Sequence, residues 1–220
     1  MLHSLEQWNV CAEPGTAALL GQYCRLEPYD EAVHLTGLYG AICGKANDGL
    51  WDYIPMGPFE DTASLAAALA IANAEHGWRT MVICRGDDVL GMASFMRIRA
   101  PHGSAEVGCV VFGPKLKQTR EASEAIYLFG KHLFDDLGYR RFEWKCNSAN
   151  EASKRAAIRF GFKFEGIFRN DMVVKGKSRD TAWYAMTDDD WRPVKSAFDK
   201  WLMPSNFDES GLQQQQLKVS

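Results

Sequence analysis

The chain has 220 residues, 46% hydrophobic and 24% charged, a balance that suits a globular fold with a substantial core. Its formal charge of −3 argues against a globally basic nucleic-acid binder and a polybasic membrane anchor. No apolar run approaches the roughly 20 residues that span a bilayer, and MLHSLEQWNVCAEPG at the start lacks the basic and apolar regions of a signal peptide. Neither nucleic acid nor membrane is an expected partner, and a cytoplasmic setting is expected. The six cysteines, Cys11, Cys24, Cys43, Cys84, Cys109 and Cys146, are scattered without a CxxC. They read as free buried thiols, with no metal site.

Residues up to about Gly21 read as an irregular lead-in. YCRLEPY, from Tyr23, reads as a strand, followed by a helix with Ala32, Leu35, Leu38 and Tyr39 at helical spacing. Gly40, Gly44 and Gly49 then break regularity. The Pro- and Gly-punctuated LWDYIPMGPF carries Trp51, Asp52 and Tyr53. Asp61 caps an alanine-rich helix to about His76. WRTMVICR and VLGMASFMRI flank Gly86-Asp87-Asp88, a hairpin signal. SAEVGCVVFG is the next strand and ends at Gly113-Pro114. In KLKQTREASEAIYLFGKHLFDDLG, residues Ala122, Ile126, Phe129, Leu133 and Leu137 share one helical face, and Gly138 stops the helix.

RRFEWKC is a strand. NEASKRAAIRFGF, Asn150 to Phe162, is a short helix closed by Gly161. FKFEGIF and a hairpin around Lys175-Gly176-Lys177 follow, and Asp188 to Leu202 reads as a closing helix. Residues 1–205 read as one domain, and 206–220, with its run of glutamines, as a polar mobile tail. Consecutive strands in the middle and a strand-helix-strand crossover after them give an α/β or α+β fold. Strict dinucleotide-fold alternation is absent.

Two stretches look like parts of a site. In the Asn150 helix, Ser148 and Glu151 have capping-box spacing. Ala149, Ser153, Ala156, Ala157 and Phe160 share the inward face, with Asn150 at its edge. Two readings stand open. Either Ser153 bonds a backbone carbonyl one turn back and Asn150 caps the helix, or both face a ligand. In GPKLKQTREASEA a strand ends, a loop carries Lys115, Lys117 and Arg120, and a helix begins. Free N–H groups and the helix dipole suit a phosphate there. A solvated basic loop is the alternative.

Together these stretches resemble the GNAT superfamily of acyl-coenzyme A N-acyltransferases, in the branch that includes the ribosomal-protein N-terminal acetyltransferases. The resemblance runs from about Tyr23 to Trp191. It rests on EVGCVVFGPKLKQTREASEA, NEASKRAAIRFGFKFEG and FRNDMVVKGKSRDTAW in that order. It implies a mixed, mostly antiparallel sheet, splayed in the middle after its fourth strand, with helices on both faces. It implies acetyl-CoA in the gap, with pantetheine along Val110, Val111 and Phe112 and pyrophosphate on the loop Lys117, Gln118, Thr119, Arg120, Glu121 and Ala122. Asn150 and Ser153 would then border the thioester. Two features depart from the family: Gln118 and Arg120 stand where glycines are usual, and Ala157 stands where many members carry a leaving-group tyrosine. Ser153, one turn earlier, is the substitute.

The implied reaction is direct acetyl transfer to an amine, of a protein N-terminus or a small molecule, by a monomer or homodimer. Backbone N–H groups at the splay would stabilise the oxyanion. Glu106 is the first candidate for the base, ahead of Asp171 and Asp52. The acceptor side is assigned to Trp51, Asp52 and Tyr53 with the region 169–180, although Trp51 and Tyr53 would equally pin their loop to the core. Asp180 reads as a structural hydrogen-bond acceptor. A catalytically silent acyl-CoA-binding module and an interaction protein using Trp191 and Trp201 are the alternatives.

Overall fold

Strand Arg141–Asn147 alternates charged with apolar residues, so one of its faces must meet a core and the other must find counter-charges. The computed structural model, which describes residues 5–219, places this strand inside an eight-stranded sheet. In chain order the elements are β1 (Leu19–Leu20), β2 (Arg25–Pro28), α1 (Glu31–Ile42), α2 (Thr62–Glu75), β3 (Arg79–Arg85), β4 (Asp88–Arg99), β5 (Ser104–Phe112) and α3 (Arg120–Lys131). They continue with β6 (Arg141–Asn147), α4 (Glu151–Arg159), β7 (Lys163–Val174), β8 (Lys177–Thr187) and α5 (Asp188–Trp201). The sheet runs β1-β2-β3-β4-β5-β6-β8-β7. Every neighbouring pair is antiparallel except β5–β6. The fold is thus the mixed, mostly antiparallel α/β arrangement expected. A two-residue strand inside the lead-in moves the strand count up by one.

Two cores form on opposite faces of the sheet. Ile126 and Phe129 of α3, Ala157 of α4 and Trp191 and Phe198 of α5 pack with Phe95, Val107, Phe142, Trp144 and Tyr184. On the other face Leu38 and Ile42 of α1 and Leu65 and Leu69 of α2 pack with Val82, Cys84, Met92 and Cys109. Alternation along each strand sends Val82 and Cys84 to one core and Ile83 to the other. Asp61 caps α2 through a capping box with Ser64. Helix α1 runs through Gly40, so the break falls later than the glycine spacing suggests. Helix α3 widens into a π turn over His132–Asp136 before Gly138, left-handed at φ 70°, ends it.

The β5–β6 pairing decides the shape of the middle. Only Ser104–Val107 of β5 pair with Arg141–Trp144 of β6. Beyond that, β5 continues with β4 alone and β6 with β8 alone, so the sheet forks. A bulge sits at the fork. Ser94 pairs with Gly108 and Met92 with Val111, which leaves Cys109 and Val110 opposite Ala93. Cys109 takes φ 46°, in the left-handed region.

Two long-range anchors hold the chain ends to this frame. The buried Glu124 carboxylate on α3 accepts the backbone N–H groups of Gln22, Tyr23 and Cys24 at 2.6, 2.7 and 2.7 Å. The expected mobile tail is corrected by the structure. Phe207 and Leu217 are buried in the larger core, and the Trp201 indole donates to Gln213 Oε1 at 2.9 Å and to the Gln215 carbonyl at 3.0 Å. Two apolar side chains suffice to dock a segment whose composition is otherwise polar.

Glu124→Gln replaces an acceptor-only group with one that aims an N–H at other N–H donors. Urea unfolding of this variant is expected to show a loss of about 2–4 kcal/mol, since charged hydrogen bonds contribute roughly 1.5–3 kcal/mol each and are not additive.

Candidate active site

The fork brings the two site-like stretches together. On one arm, β5 leaves a free edge along Val110, Val111 and Phe112, where β6 has turned away. Val111 is buried in the α1–α2 core, so that arm offers backbone while side chains anchor it. Past the arm's end, Gly113 leads into the loop and Thr119 N-caps α3. Its hydroxyl accepts the Ala122 N–H at 3.2 Å. Gln118 takes φ 61°, the left-handed conformation that a glycine would adopt freely. Gln118 therefore keeps the loop's turn without a glycine. The first-turn amides of Arg120 and Glu121 precede any intrahelical partner. An anion fits there, with exposed Lys115 and Lys117 beside it.

The other cations and acids of this loop face elsewhere. Arg120 lies over the Tyr23 ring at 4.2 Å and the Phe207 ring at 5.4 Å, and its Nε is 3.7 Å from Glu121. It clamps the C-terminal segment more than it lines the loop. The buried Glu121 carboxylate turns to Arg85 at 3.5 Å, so its charge is engaged away from the free amides.

On the other arm, Asn150 is the N-cap of α4, with Oδ1 accepting the Ser153 N–H at 3.0 Å. The cap is Asn150, and the Ser148 box is corrected. Ser153 forms no bond to a backbone carbonyl among the described residues. Its Oγ accepts the Trp144 indole N–H at 3.0 Å, which leaves its own proton to donate. Ser153 also lies against Cys146, whose thiol burial pushes upward with the serine hydroxyl as partial counterweight. Burial pushes the Cys109 thiol up to about 12. Neither thiol at the fork is a thiolate near neutral pH, so neither serves as a covalent acyl carrier.

Below the fork lies a charged seam that the sequence reading did not assemble. Lys145 Nζ sits 2.7 Å from Glu106 and 3.0 Å from Glu143, and 4.0 Å from the Trp183 ring. Arg99 and Arg141 reach Glu143 at 2.9 and 2.7 Å, and Arg97 reaches Glu106 at 3.9 Å. Burial works against ionising Glu143, but Arg141 and Lys145 outweigh it and hold its carboxyl below the ordinary range. At Glu106 burial wins over Lys145 and Arg97, and its pKa stands above the ordinary range. A Cβ on Gly108 would collide with the Met96 sulfur and sit 2.9 Å from a Glu106 oxygen. Glycine there leaves room beside that carboxylate. The alternating charges of RRFEWKC were the available signal for this seam.

Trp51 is fully buried, donates to the Ile42 carbonyl at 2.9 Å and packs edge-on against Phe59. Its ring pins the loop and does not floor a pocket, which corrects that assignment. Asp52 and Tyr53 remain exposed, with the Tyr53 hydroxyl 3.4 Å from the Ala149 carbonyl. Lys175, at the β7–β8 turn, donates to the Trp51 carbonyl at 2.8 Å, so the hairpin tip meets this loop. Asp180 accepts the Asn170 N–H at 2.8 Å, a structural role. Glu27, His34 and Cys84 also cluster at ligand spacing. However, His34 Nδ1 accepts the Asp30 N–H and Nε2 meets Glu27 at 2.8 Å, which leaves the ring no lone pair for a cation.

Against known proteins, an acetyltransferase (GNAT) domain profile matches residues 24–163. The chain belongs to the GNAT acetyltransferase family. It is therefore an N-acetyltransferase by family, an acyl-transferring enzyme. A crystal structure of a GCN5-related N-acetyltransferase from Brucella melitensis is similar at TM-score 0.92 and 37% identity, covering 97% of each chain. The ribosomal-protein-serine acetyltransferase of Escherichia coli is 26% identical over 69% of this chain and 86% of its own. The uncharacterized N-acetyltransferase YoaA of Bacillus subtilis is 30% identical over 45% of this chain, and the match spans 55% of that protein. Among the described residues no helix is long and apolar enough to cross a membrane.

Lys117→Ala is expected to weaken acetyl-CoA binding by about 1 kcal/mol, read by calorimetric titration, as fits one exposed charge-assisted contact. Arg120→Ala is expected to leave that affinity nearly unchanged and to speed proteolysis of the segment after Phe207. The opposite pattern would put the Arg120 guanidinium in the anion site.

Proposed function

We propose that this protein transfers the acetyl group of acetyl-CoA directly to the amine of a protein N-terminus or a small molecule. The observation that carries the proposal is the fork between β5 and β6 beside the start of α3. The residues present fit the donor. A free strand edge at Val110–Phe112 suits an amide-bearing arm, and within the loop Lys117–Ala122 the amides of Gln118, Arg120 and Glu121 suit a pyrophosphate. Asn150 and Ser153 stand on the opposite arm. Acetyl-CoA supplies the activated acyl group as a thioester. Backbone N–H groups released from strand pairing at the bulge would face the carbonyl oxygen. Ser153, held by Trp144, would donate its proton towards the leaving sulfur. Glu106, above the ordinary carboxylate range yet fixed by Lys145, would accept the amine proton directly or through water. The acceptor would enter over Asp52 and Tyr53.

Incubation with acetyl-CoA and a panel of amines, followed by release of the coenzyme A thiol, tests the reading. Acetyl-CoA binding is read in parallel as a rise in Tm. A rise in Tm without thiol release would favour a silent acyl-CoA-binding module, the reading to which Ala157 lends support. No rise at millimolar acetyl-CoA would defeat both.

Ser153→Ala is expected to cost at most about 1–2 kcal/mol of stability and to lower turnover roughly tenfold or more, with cofactor affinity unchanged. Full turnover in the folded variant would confine Ser153 to its bond with Trp144.

The pH profile isolates Glu106. Only its ionised form accepts a proton, and burial raises its pKa. The acid limb of kcat/KM is therefore expected at higher pH than for a surface glutamate, with activity rising as Glu106 ionises. Glu106→Gln should remove that limb and cut kcat/KM by about 10²-fold or more. A limb that persists in Glu106→Gln belongs to another group.

A further inference from the structure

One strand of the acceptor side carries polar atoms that the fold leaves without partners. Along β8 the inward positions 179, 181 and 183 alternate, so their side chains share one face of the sheet. Register puts Thr181 opposite Asn147 and Trp183 opposite Lys145. Trp183 therefore continues the seam that Lys145 shares with Glu106, a contact of 2.7 Å. Arg179 Nε, Thr181 Oγ1 and Trp183 Nε1 are all buried without a hydrogen-bond partner. Arg179 is only 9% exposed and Thr181 2%. The Arg179 side chain makes no hydrogen bond or ion pair among the described residues. The neighbouring seam behaves otherwise: Arg97, Arg99, Arg141 and Lys145 each have a carboxylate.

We infer that Arg179, Thr181 and Trp183 recognise the acceptor, and that the acceptor is an amine that also carries a carboxylate. The inference rests on the acetyl-transfer reading above. Water would satisfy a hydroxyl, an indole or a guanidinium N–H, but it would not neutralise the charge of Arg179, which is only 9% exposed. A carboxylate supplies the lone pairs and charge that Arg179 and its strand neighbour Thr181 lack, and a guanidinium matches a carboxylate as a planar fork, while the Trp183 indole would meet the amine end of the same molecule. A polyamine has the wrong charge and no strong acceptor. The reacting amine would lie towards Glu106, at the Trp183 end, and the carboxylate towards Arg179. Trp183 and Arg179 are separated by four residues of strand, about 13 Å of backbone. A side chain as long as arginine shortens that span to the scale of an amino acid or a dipeptide.

The test compares amino acids and dipeptides with free carboxylates against the same compounds as C-terminal amides, and against spermidine, by coenzyme A thiol release. The carboxylates are expected to show at least about tenfold higher kcat/KM. Arg179→Gln should raise their KM by about tenfold and abolish the preference for acids over amides. Arg179→Lys should restore part of the preference. Tm should hold or rise in Arg179→Gln, because a buried unpaired charge has been removed; a purely structural arginine would lower it. Equal rates for acids and amides, preference for spermidine, or a preference that survives Arg179→Gln would overturn the inference. So would no turnover of any carboxylate-bearing amine while acetyl-CoA still raises Tm. Absence of that rise counts against the transferase reading itself.

Discussion

Lys145 bridging Glu106 and Glu143 is the contact on which the middle of this protein turns. Backbone pairing between β5 and β6 lasts for four residues on each strand and then stops. A short parallel seam with nothing below it would invite the whole sheet to part. Instead an ammonium sits between a carboxylate from each strand, at 2.7 and 3.0 Å. The sheet therefore forks at a fixed place. Everything proposed for the site takes its position from that place: the free edge of β5, the start of α3, and the cap of α4.

The seam also divides labour between its acids. Glu143 has three cations around it and stays ionised. Glu106 has fewer, and burial outweighs them, so its pKa moves the other way. Two glutamates opposite each other in register are thus set apart electrostatically by what surrounds them. Breaking such a buried pair by removing Lys145 would leave two carboxylates facing one another, which costs far more than the pair itself contributes. The seam is a positioning device more than a source of stability.

Much of this architecture was legible because local and global preferences agree. The apolar face Ala122, Ile126 and Phe129 could only be a buried helix side, and Gly86-Asp87 and Lys175-Gly176 could only be turns. Strand polarity and the fork were reached through resemblance to the GNAT family, since no periodicity marks where two strands stop pairing. What stayed hidden had physical reasons. Trp51 looks alike in sequence whether its ring floors a pocket or plugs a core; only its bond to Ile42 decides. The C-terminal segment is mostly polar, and the two residues that dock it, Phe207 and Leu217, carry no period. The Asn150 cap of α4 was one of the two readings the sequence offered, although the S-x-x-E spacing of Ser148 and Glu151 points two residues earlier. The vacant donors of β8 are invisible in sequence because lack of a partner is a property of neighbours.

The Glu124 carboxylate has a consequence for how the chain assembles. Its three amide partners lie 100 to 102 residues earlier. Tyr23 also reaches forward to Leu202, and Tyr139 back to Ala12. Residues 22–24 therefore complete these backbone bonds only once α3 is in place, although β1 already pairs with β2 and β2 with β3. The closure of so long a loop is slow to be rewarded. Sequence separation alone favours the short-range pairing of β3, β4 and β5 ahead of the contacts between α3 and residues 22–24. The Glu124 carboxylate thus makes the seating of the first strands conditional on the middle of the chain.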